Sequence, residues 1–461
     1  MLTKEYISEV KANGNGDIKK LIDSKNDDKS IVFILENLGY LPEDFDDSWV
    51  QDLLQSENKK IRLNAIKTIG KVKNENNVVT LSQIAKKEKS TTIRREAVSS
   101  IGRMRSKKAI PALIEILNDN DPKIISQAIR GLLVFKGDEK IDKKLKLLAE
   151  HENETIQTVI RKEYFSKKKI SKDRLKHSDS YDYLKNTVVL GDVRDTLKLI
   201  PNESFHLTFT SPPYYNARDY SIFPSYKAYL KFLEEVFKLT YDKTKEGRFL
   251  IVNTSPVIVQ RISRQYASKR YPIPFDIHHF LMKMGWEFID DIIWAKPEAS
   301  VKNRNAGFLQ HRKPLAYKPN ARTEYLMVYR KQTEKLIDWN IRQYDWDTVK
   351  ESKVNDGYET SNVWEIDPKF DRVHSAVFPV DLCKRVIEYY SFKGDLVFDP
   401  FAGSGTFGRT AKFLDRHFFL TEQKLEYFDY MRSFIRKNDS SLFNKIESKF
   451  LNLDEFKENI K

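Results

Sequence analysis

Apolar residues in the N-terminal third recur at helical spacing, and the pattern itself repeats along the chain. The first isoleucine of each copy marks the repeat, and the spacings are 32, 31 and 32 residues between Ile61, Ile93, Ile124 and Ile156. Within the first copy, the apolar positions predict an amphipathic helix through Ile61, Ala65, Ile66 and Ile69. A second helix follows, and Pro111 suits the start of one of them. Two helices per unit of roughly 30 residues predict a stacked α-solenoid.

The pattern changes at about Tyr181, where short apolar runs begin to alternate with helix-length segments. The runs that we interpret as buried strands are NTVVLGD, FHLTFTSPP, RFLIVNT, DDIIWAK, EYLMVYR, DLVFDPF and HFFLTEQ. Alternation of strands and helices predicts an α/β domain with a mostly parallel sheet. We therefore divide the chain into a helical repeat domain over 1–165, a basic linker over 166–180 and an α/β domain over 181–461.

Charge and composition narrow the classes of function. The formal net charge is +14, from 80 lysines and arginines against 66 acids, which fits a polyanionic partner such as nucleic acid. A lysine-rich, solvated surface would give the same surplus. The single cysteine, Cys383, excludes an internal disulfide, and no Cys/His cluster has metal-ligand spacing, so we expect no metal site. We find no long apolar run and no signal peptide, and the expected location is the cytoplasm.

A glycine-rich turn follows one of the predicted strands. The strand leads directly into Asp399, Pro400, Phe401, Ala402, Gly403, Ser404, Gly405 and Thr406. Glycines let a ligand approach the backbone closely, and a helix that starts near Thr406 offers free amides. The next strand ends at Glu422, whose carboxylate can accept hydrogen bonds from ribose hydroxyls. Because the Walker pattern is absent, we interpret this turn as a nucleoside site without a phosphate-binding lysine.

A second candidate site lies at the end of the strand FHLTFT, in the sequence Thr210, Ser211, Pro212, Pro213 and Tyr214. Ligands in open α/β sheets bind outside the carboxyl ends of the strands. The two prolines fix the backbone and point carbonyl oxygens into that crevice. Ser211 supplies a hydroxyl, and Tyr214 supplies a flat face for a base. Taken alone, the loop is explained equally well as a rigid turn with a packed tyrosine.

Together the two sites resemble those of the amino-methyltransferases of DNA, over about residues 181–436. Three further segments match the same family, namely Gly191-Asp192, Ile293-Trp294-Ala295-Lys296-Pro297 and His374-Ser375-Ala376-Val377-Phe378-Pro379. The Ser-Pro-Pro loop precedes the glycine turn, which is the permuted order called the β class. Residues 45–165 resemble short HEAT-type repeats. These resemblances imply a Rossmann-like methyltransferase fold of the S-adenosylmethionine-dependent type, preceded by an all-α HEAT-like solenoid.

The resemblance also implies roles for individual residues. The catalytic residues that it implies are Ser211, Pro212, Pro213 and Tyr214. The implied cofactor is S-adenosyl-L-methionine, with no metal, bound by Asp192, Thr210, His374, Phe378, Pro379, Asp399, Pro400, Phe401, Gly403, Ser404, Gly405, Thr406 and Glu422. Double-stranded DNA is the implied substrate, and a cognate restriction endonuclease is a further implied partner. The partner of the repeats stays open.

The chemistry of an exocyclic base amine fits these residues. Its nitrogen is a poor nucleophile because the lone pair is delocalised into the ring. Ser211 and the Pro212 carbonyl can hydrogen-bond the two amine protons, and the target base must leave the duplex, with Tyr214 as its stacking partner. Methylation at carbon 5 of cytosine needs a thiolate, and Cys383 lies on a predicted helix far from this loop, where we expect it to pack.

The choice of base depends on one residue. In the resembling family, Ser-Pro-Pro usually marks cytosine enzymes, whereas Asp-Pro-Pro and Asn-Pro-Pro usually mark adenine enzymes. We therefore expect an N4-cytosine enzyme within a restriction-modification system, with an N6-adenine enzyme as the alternative. A methyltransferase acting on RNA or protein and an inactive DNA-binding scaffold are further alternatives, although neither motif is broken.

The DNA sequence that would be recognised cannot be read from the chain. Candidate recognition insertions cover about 255–275, 298–322 and 332–372. Side chains in the first two that could contact bases are Gln260, Arg261, Arg264, Gln265, Arg270, Asn303, Arg304, Gln310, His311, Arg312 and Lys313. Phosphate contact or plain exposure explains any one of them as well.

Overall fold

The computed structural model contains two compact units, Met1–Lys172 and Asp173–Lys461. The structure describes residues 2–13, 15–25, 27–41, 45–72, 74–165, 177, 179–215, 223–259, 263, 265–266, 269–301, 320–358, 360–369, 377–439 and 447–460. The predicted linker over 166–180 contains the division between the two units, and most of it lies outside the described residues.

The described part of the first unit is helical throughout. Its helices are α1 (Lys4–Asn13), α2 (Asn15–Asp23), α3 (Asp28–Glu36), α4 (Val50–Leu53), α5 (Lys59–Val72), α6 (Val78–Lys87), α7 (Thr91–Met104), α8 (Ile110–Ile116), α9 (Pro122–Leu133), α10 (Glu139–Leu147) and α11 (Glu154–Ile160). Helices α5, α7, α9 and α11 each carry one repeat isoleucine, and all four of these side chains are buried. A second helix follows each of the first three of them, as the repeat pattern predicts.

Successive first helices of the repeats approach one another closely because small residues face each other. A Cβ atom on Gly102 of α7 would lie 3.1 Å from the Cα of Gly131 on α9. A Cβ atom on Gly70 of α5 would lie 2.5 Å from the Ser100 hydroxyl of α7, which instead donates to the carbonyl of Ile66 at 3.1 Å. The glycines of the repeat are therefore explained by helix packing, and the isoleucines fill the space on either side.

The second unit alternates strands and helices. Its strands are β1 (Thr187–Leu190), β2 (Phe205–Thr210), β3 (Thr244–Thr254), β4 (Val257–Val259), β5 (Lys269–Tyr271), β6 (Trp286–Ala295), β7 (Thr323–Lys331), β8 (Val363–Glu365), β9 (Leu396–Asp399), β10 (His417–Glu422) and β11 (Lys449–Asn452). Its helices are α12 (Val193–Leu199), α13 (Tyr226–Lys243), α14 (Ile273–Met284), α15 (Asp338–Ile341), α16 (Trp346–Glu351), α17 (Val380–Tyr390), α18 (Thr406–Phe413), α19 (Leu425–Asp439) and α20 (Leu453–Ile460). Among the helices that the structure describes in either unit, none is long and apolar enough to traverse a lipid bilayer.

Nine strands form one mixed sheet in the order β11-β1-β10-β9-β2-β3-β7-β6-β8. The six strands from β11 to β3 are parallel to their neighbours, and β7 is antiparallel to both β3 and β6. Strands β4 and β5 pair separately as an antiparallel hairpin. The prediction of an α/β unit with a mostly parallel sheet is confirmed, and each of the predicted strands is present.

The chain leaves the two central strands in opposite directions. After β9 it passes through α18 to β10 on one side, and after β2 it passes through α13 to β3 on the other side. A crevice forms at the carboxyl ends of two neighbouring parallel strands where the order reverses in this way. The glycine turn follows β9 and the Ser-Pro-Pro loop follows β2, so both motifs border the same crevice.

Part of the third predicted insertion lies at the opposite edge of the sheet. The Asn340 amide donates to the Gly247 carbonyl at 2.9 Å, and the Tyr344 hydroxyl donates to Asp395. Gly247 and Asp395 stand near the amino-terminal ends of β3 and β9. The first half of 332–372 therefore packs away from the crevice, while its later part supplies β8, which extends the sheet beside β6. This packing does not favour base reading by the first half.

Candidate active site

A cavity of about 650 Å³ opens at the carboxyl ends of β1, β2, β9 and β10. The predicted site residues that line it are Asp192, Ser211, Pro212, Pro213, Tyr214, Phe378, Pro400, Phe401, Gly403, Ser404, Thr406 and Glu422. Segments that lie up to about 230 residues apart in the sequence thus share one cavity, as the two motifs predict. A cavity of this size suits a small ligand with room for a base beside it.

Hydrogen bonds to both neighbouring strands hold the glycine turn in place. The Asp399 carboxylate accepts from the Thr210 hydroxyl at 2.7 Å and from the Phe401 amide at 3.0 Å. On the other side, the Thr421 hydroxyl donates to the Pro400 carbonyl at 2.7 Å. These bonds fix the turn between β2 and β10 before any ligand arrives.

Gly403 has a φ of +54°, which is the left-handed region that favours glycine. Its amide donates to the Glu422 carboxylate at 2.8 Å, and the other oxygen of that carboxylate accepts from the Lys424 amide at 2.9 Å. A carboxylate has about four lone pairs, so these two bonds leave Glu422 able to accept hydrogen bonds from a ligand in the cavity.

Burial changes the acidity of the two carboxylates near the turn. Burial and, to a smaller extent, the charge of Glu422 raise the pKa of Asp399 to about 7, against the hydrogen bonds from Thr210 and Phe401. Burial also raises the pKa of Glu422 above its usual range, although backbone hydrogen bonds oppose the change. The negative charge of Glu422 thus disfavours ionisation of Asp399.

Asp192 lies on the cavity wall next to Glu422, at the start of α12, because β1 before it pairs with β10. Its carboxylate caps that helix by accepting from the Arg194 amide at 2.8 Å, and it forms an ion pair with the Arg194 guanidinium at 2.7 Å. The same guanidinium bonds Glu235 at 2.9 Å and lies over the Phe232 ring, 5.1 Å from its centre. Hydrogen bonds from Arg194 hold the pKa of Asp192 below its usual range. The wall thus combines an ionised carboxylate with an aromatic face.

Several predicted site residues do not line the cavity. Thr210 and Asp399 are buried behind the turn, where they bond each other. Pro379 caps the start of α17, and Gly405 faces the Met431 side chain on α19. The structure gives these residues a supporting position. His374 lies outside the described residues, as do the candidate base readers except Gln265 and Arg270.

Some cavity residues were missed by the sequence reasoning. They are Val193, Arg194, Phe223, Phe232, Thr421, Gln423, Lys424 and Tyr427. Gly191, which only the resemblance had marked, and Ala402, which was named in the glycine turn without a role, also line it. Arg194 and Lys424 lie two residues from a predicted acidic site residue, so proximity to a motif could have suggested them. Phe232 gave no such signal because a phenylalanine on an amphipathic helix is usually a core residue.

Cys383 has no part in this cavity. It is fully buried in the core beneath α17 with Leu382, Val386 and Ile387. Burial, together with the charge of Asp399, raises the pKa of its thiol well above the usual range. A thiol in this environment is not a nucleophile, which agrees with the prediction that Cys383 is a packing residue.

Comparison with known proteins places this geometry in a family. Residues 205–433 match the family model described as DNA methylase, and residues 46–133 match the model described as HEAT repeats. The α/β unit belongs to the DNA methylase family. Its Ser-Pro-Pro loop precedes its glycine turn, so the methylase domain has the β-class order, and HEAT-like repeats precede it, as predicted.

Two relatives show how far the similarity extends. The type II β methyltransferase M.BslI of Bacillus sp. (strain NEB-606) is 28% identical over 229 residues, which are 48% of this chain and 24% of that protein. The type II methyltransferase M.Cfr9I of Citrobacter freundii is 28% identical over 306 residues, 59% of this chain and 95% of that protein. This chain thus matches about a quarter of the first relative and almost all of the second.

The solved structure of the PvuII DNA methyltransferase (cytosine-N4-specific) is 18% identical, with a TM-score of 0.42, over 61% of this chain and 95% of that one.

The cavity of the methylase domain fits the S-adenosylmethionine on which this family depends. Glu422 and Asp192 supply carboxylates for hydroxyl and amine groups, and Phe232 and Phe378 supply apolar faces for an adenine ring. Aromatic rings in the same wall suit a sulfonium cation. Among the residues that the structure describes, no group of three or more His, Cys, Asp and Glu side chains could hold a metal ion.

Proposed function

We propose that this protein transfers a methyl group from S-adenosylmethionine to the exocyclic N4 amine of cytosine in double-stranded DNA. The observation that carries the proposal is the position of Ser211, Pro212 and Tyr214 in the same cavity as the glycine turn. The names of the two relatives, both type II methyltransferases, support a place in a restriction-modification system. A partner endonuclease and a cytoplasmic location belong to the same proposal.

Positioning accounts for the catalysis in this proposal. Ser211 Oγ and the Pro212 carbonyl accept hydrogen bonds from the two protons of the base amine. These bonds draw the nitrogen toward tetrahedral geometry, so its lone pair points at the methyl group rather than into the ring. Bound S-adenosylmethionine supplies an activated methyl group with a good leaving group. Holding the two reactants in line removes much of the entropic part of the barrier.

The base must reach Ser211 from outside the double helix. An amine inside a duplex is covered by its pairing partner, so the target base is flipped into the cavity, as other enzymes that modify bases do. Tyr214 offers a ring face at the cavity wall, and stacking on an aromatic side chain is worth about 1–3 kcal/mol per base. Serine in the loop is the reason for preferring cytosine over adenine.

The test is methyl transfer by the purified full-length protein to duplex DNA, followed by mass spectrometry of the nucleosides. We expect N4-methylcytosine. N6-methyladenine would change the base and keep the mechanism, whereas 5-methylcytosine would contradict the mechanism because no thiolate lies in the site. Sequencing that detects modified bases in DNA from cells expressing the protein would also give the target sequence.

The Ser211→Ala variant tests the role of the hydroxyl. We expect the methylation step to slow by about 10²–10⁴-fold, the effect of removing one well-placed hydrogen-bonding group. Cofactor affinity measured by calorimetry should stay unchanged, because the glycine turn and Glu422 are untouched. Ser433→Ala is the matched control, since this exposed serine on α19 donates only to the Tyr430 carbonyl among its described contacts. Full activity in Ser211→Ala would contradict the mechanism.

A further inference from the structure

A partly buried ion pair lies directly beside the Ser-Pro-Pro loop. The Tyr214 hydroxyl donates to one oxygen of the Glu324 carboxylate at 3.0 Å, and the other oxygen is paired with the Lys296 ammonium. The side chains of Lys296 and Glu324 are only 17% and 16% exposed. The Lys296 ammonium also lies over the Trp294 ring, 4.3 Å from its centre. Solvent therefore has little access to this pair.

The sheet brings these groups together. Trp294 on β6 is the register partner of Glu324 on β7, and Lys296 follows β6 directly. Because β7 runs antiparallel to β3, its first residues stand at the same edge as the carboxyl end of β2 and its loop. Glu324 is 110 residues from Tyr214 in the sequence, yet the fold places its carboxylate against the catalytic loop.

Serine hydroxyls complete the cluster. Burial and the Glu324 charge raise the pKa of Tyr214 well above its usual range, while hydrogen bonds from the Ser211 and Ser255 side chains oppose this change. Ser211 and Tyr214 line the same cavity, and because the one proton of the Tyr214 hydroxyl goes to Glu324, we assign the one proton of Ser211 to the Tyr214 oxygen. With the donors directed toward Glu324, the Ser211 oxygen faces the cavity with its lone pairs available as acceptors.

Methylation of a base amine needs both an acceptor and a path for a proton. The product amine carries one proton fewer than the attacking amine, so that proton must leave the nitrogen. On the basis of the proposed function, we propose that Glu324 positions the Ser211 hydroxyl through Tyr214 and receives, along the same chain, the proton that the methylated amine loses. The ion pair with Lys296 holds the Glu324 side chain in place before the reaction.

The atoms and charges balance along this chain. The nitrogen–methyl bond forms as the methyl–sulfur bond breaks, the bonding pair stays on sulfur, and the nitrogen becomes cationic. The nitrogen then gives a proton to Ser211, Ser211 gives its own proton to Tyr214, and Tyr214 gives its proton to Glu324. Ser211 and Tyr214 end neutral, and the carboxyl of Glu324 ends protonated. Loss of that proton to solvent restores the starting state.

Two variants of the full-length protein test this proposal. Tyr214→Phe keeps the ring that stacks on the base and removes the hydroxyl, and Glu324→Gln keeps the size of the side chain and removes its charge. We expect each to lower the single-turnover rate of methyl transfer by about 10–100-fold. KM for DNA, cofactor affinity and the fluorescence of a base analogue flipped at the target position should not change. The double variant should lose no more than either single variant, because both interrupt one chain.

Tyr215→Phe is the matched control, since it removes the hydroxyl of the neighbouring tyrosine, whose ring packs on Tyr226 and Tyr271. It should methylate at the wild-type rate. Wild-type rates in Tyr214→Phe would overturn the proposal, and so would an equal loss of the base-flipping signal, because the pair would then only hold the loop. If Glu324→Gln does not fold, Tyr214→Phe decides alone. An inactive wild-type protein would overturn the proposed function, and this relay with it.

Discussion

Among the residues of the site, Asp399 has a pKa that differs clearly from that of an exposed carboxylate. Its carboxyl is buried between β2 and β10, and burial raises its pKa to about 7 from an ordinary value of 3.8. The folded protein therefore keeps a proton that the unfolded chain releases between about pH 4 and pH 7. The stability contributed by this group is fully present below about pH 4 and is lost as the pH rises to about 7. Each unit of difference in pKa corresponds to about 1.4 kcal/mol.

The Asp399→Asn variant should remove this pH dependence. The amide oxygen can still accept from Thr210 and Phe401, but the side chain no longer titrates. We expect the free energy of unfolding to fall more between pH 5 and pH 7.5 in the wild-type protein than in the variant. Chemical unfolding at the two pH values measures the difference. The contributions of the other acidic groups cancel in the comparison because both proteins contain them. Parallel curves would show that Asp399 is already ionised at pH 5 in the folded protein.

The sequence allowed prediction of the site residues that belong to local motifs. Glu422 ends a strand, and Ser211 and Tyr214 lie in the loop that follows one, and such positions reach the crevice in any parallel sheet. Glu324 could not be predicted in this way, because it reaches the loop only through the register of β6 and β7. Long-range register depends on the whole sheet, so a sequence motif carries no signal for it.

At the level of elements, seven of the described strands were predicted from the sequence and four were not. The predicted strands correspond to β1, β2, β3, β6, β7, β9 and β10, which all have a clear apolar run. The strands without a prediction have three or four residues, namely β4, β5, β8 and β11. Strand β8 contains only Val363, Trp364 and Glu365, and it pairs because β6 offers a free edge. Such pairing is decided by the neighbouring strand rather than by the segment itself.

Glycine in the repeats tests the packing of the helices. In Gly102→Ala, the added methyl group on α7 would lie 3.1 Å from the Cα of Gly131, where only backbone can move. We expect a loss of about 1–3 kcal/mol in the free energy of unfolding, typical of overpacking, despite the better helix propensity of alanine. Urea unfolding followed by circular dichroism measures it. Gly16→Ala on α2 is the control: nothing lies within 4 Å of its Cβ, so stability should rise by up to about 1 kcal/mol. Equal effects of both substitutions would contradict close packing between α7 and α9.

For the whole molecule, the structure places the predicted chemistry in one of two compact units. The described cavity residues all lie within Asp173–Lys461. Near the beginning of the second unit, His177 is held by hydrogen bonds. Its amide donates to the Gln343 side chain at 3.1 Å, and its ring lies 3.1 Å from the Glu246 carbonyl. These contacts indicate that an independent methylase domain should begin just before His177. We propose that the first unit is a separate helical domain that aids binding of DNA or of a partner.

A truncated protein that starts at Lys176 should therefore fold and bind S-adenosylmethionine as the full-length protein does. It keeps the His177 contacts, the sheet and the whole cavity, so its affinity in calorimetry should match within about twofold, well under 1 kcal/mol. A shorter protein that starts at Tyr181 is the matched control. It loses the contacts of His177 with Gln343 and Glu246, and we expect a lower unfolding temperature with the cavity intact. If the truncated protein that starts at Lys176 is folded by circular dichroism but does not bind the cofactor, the repeats belong to the catalytic unit.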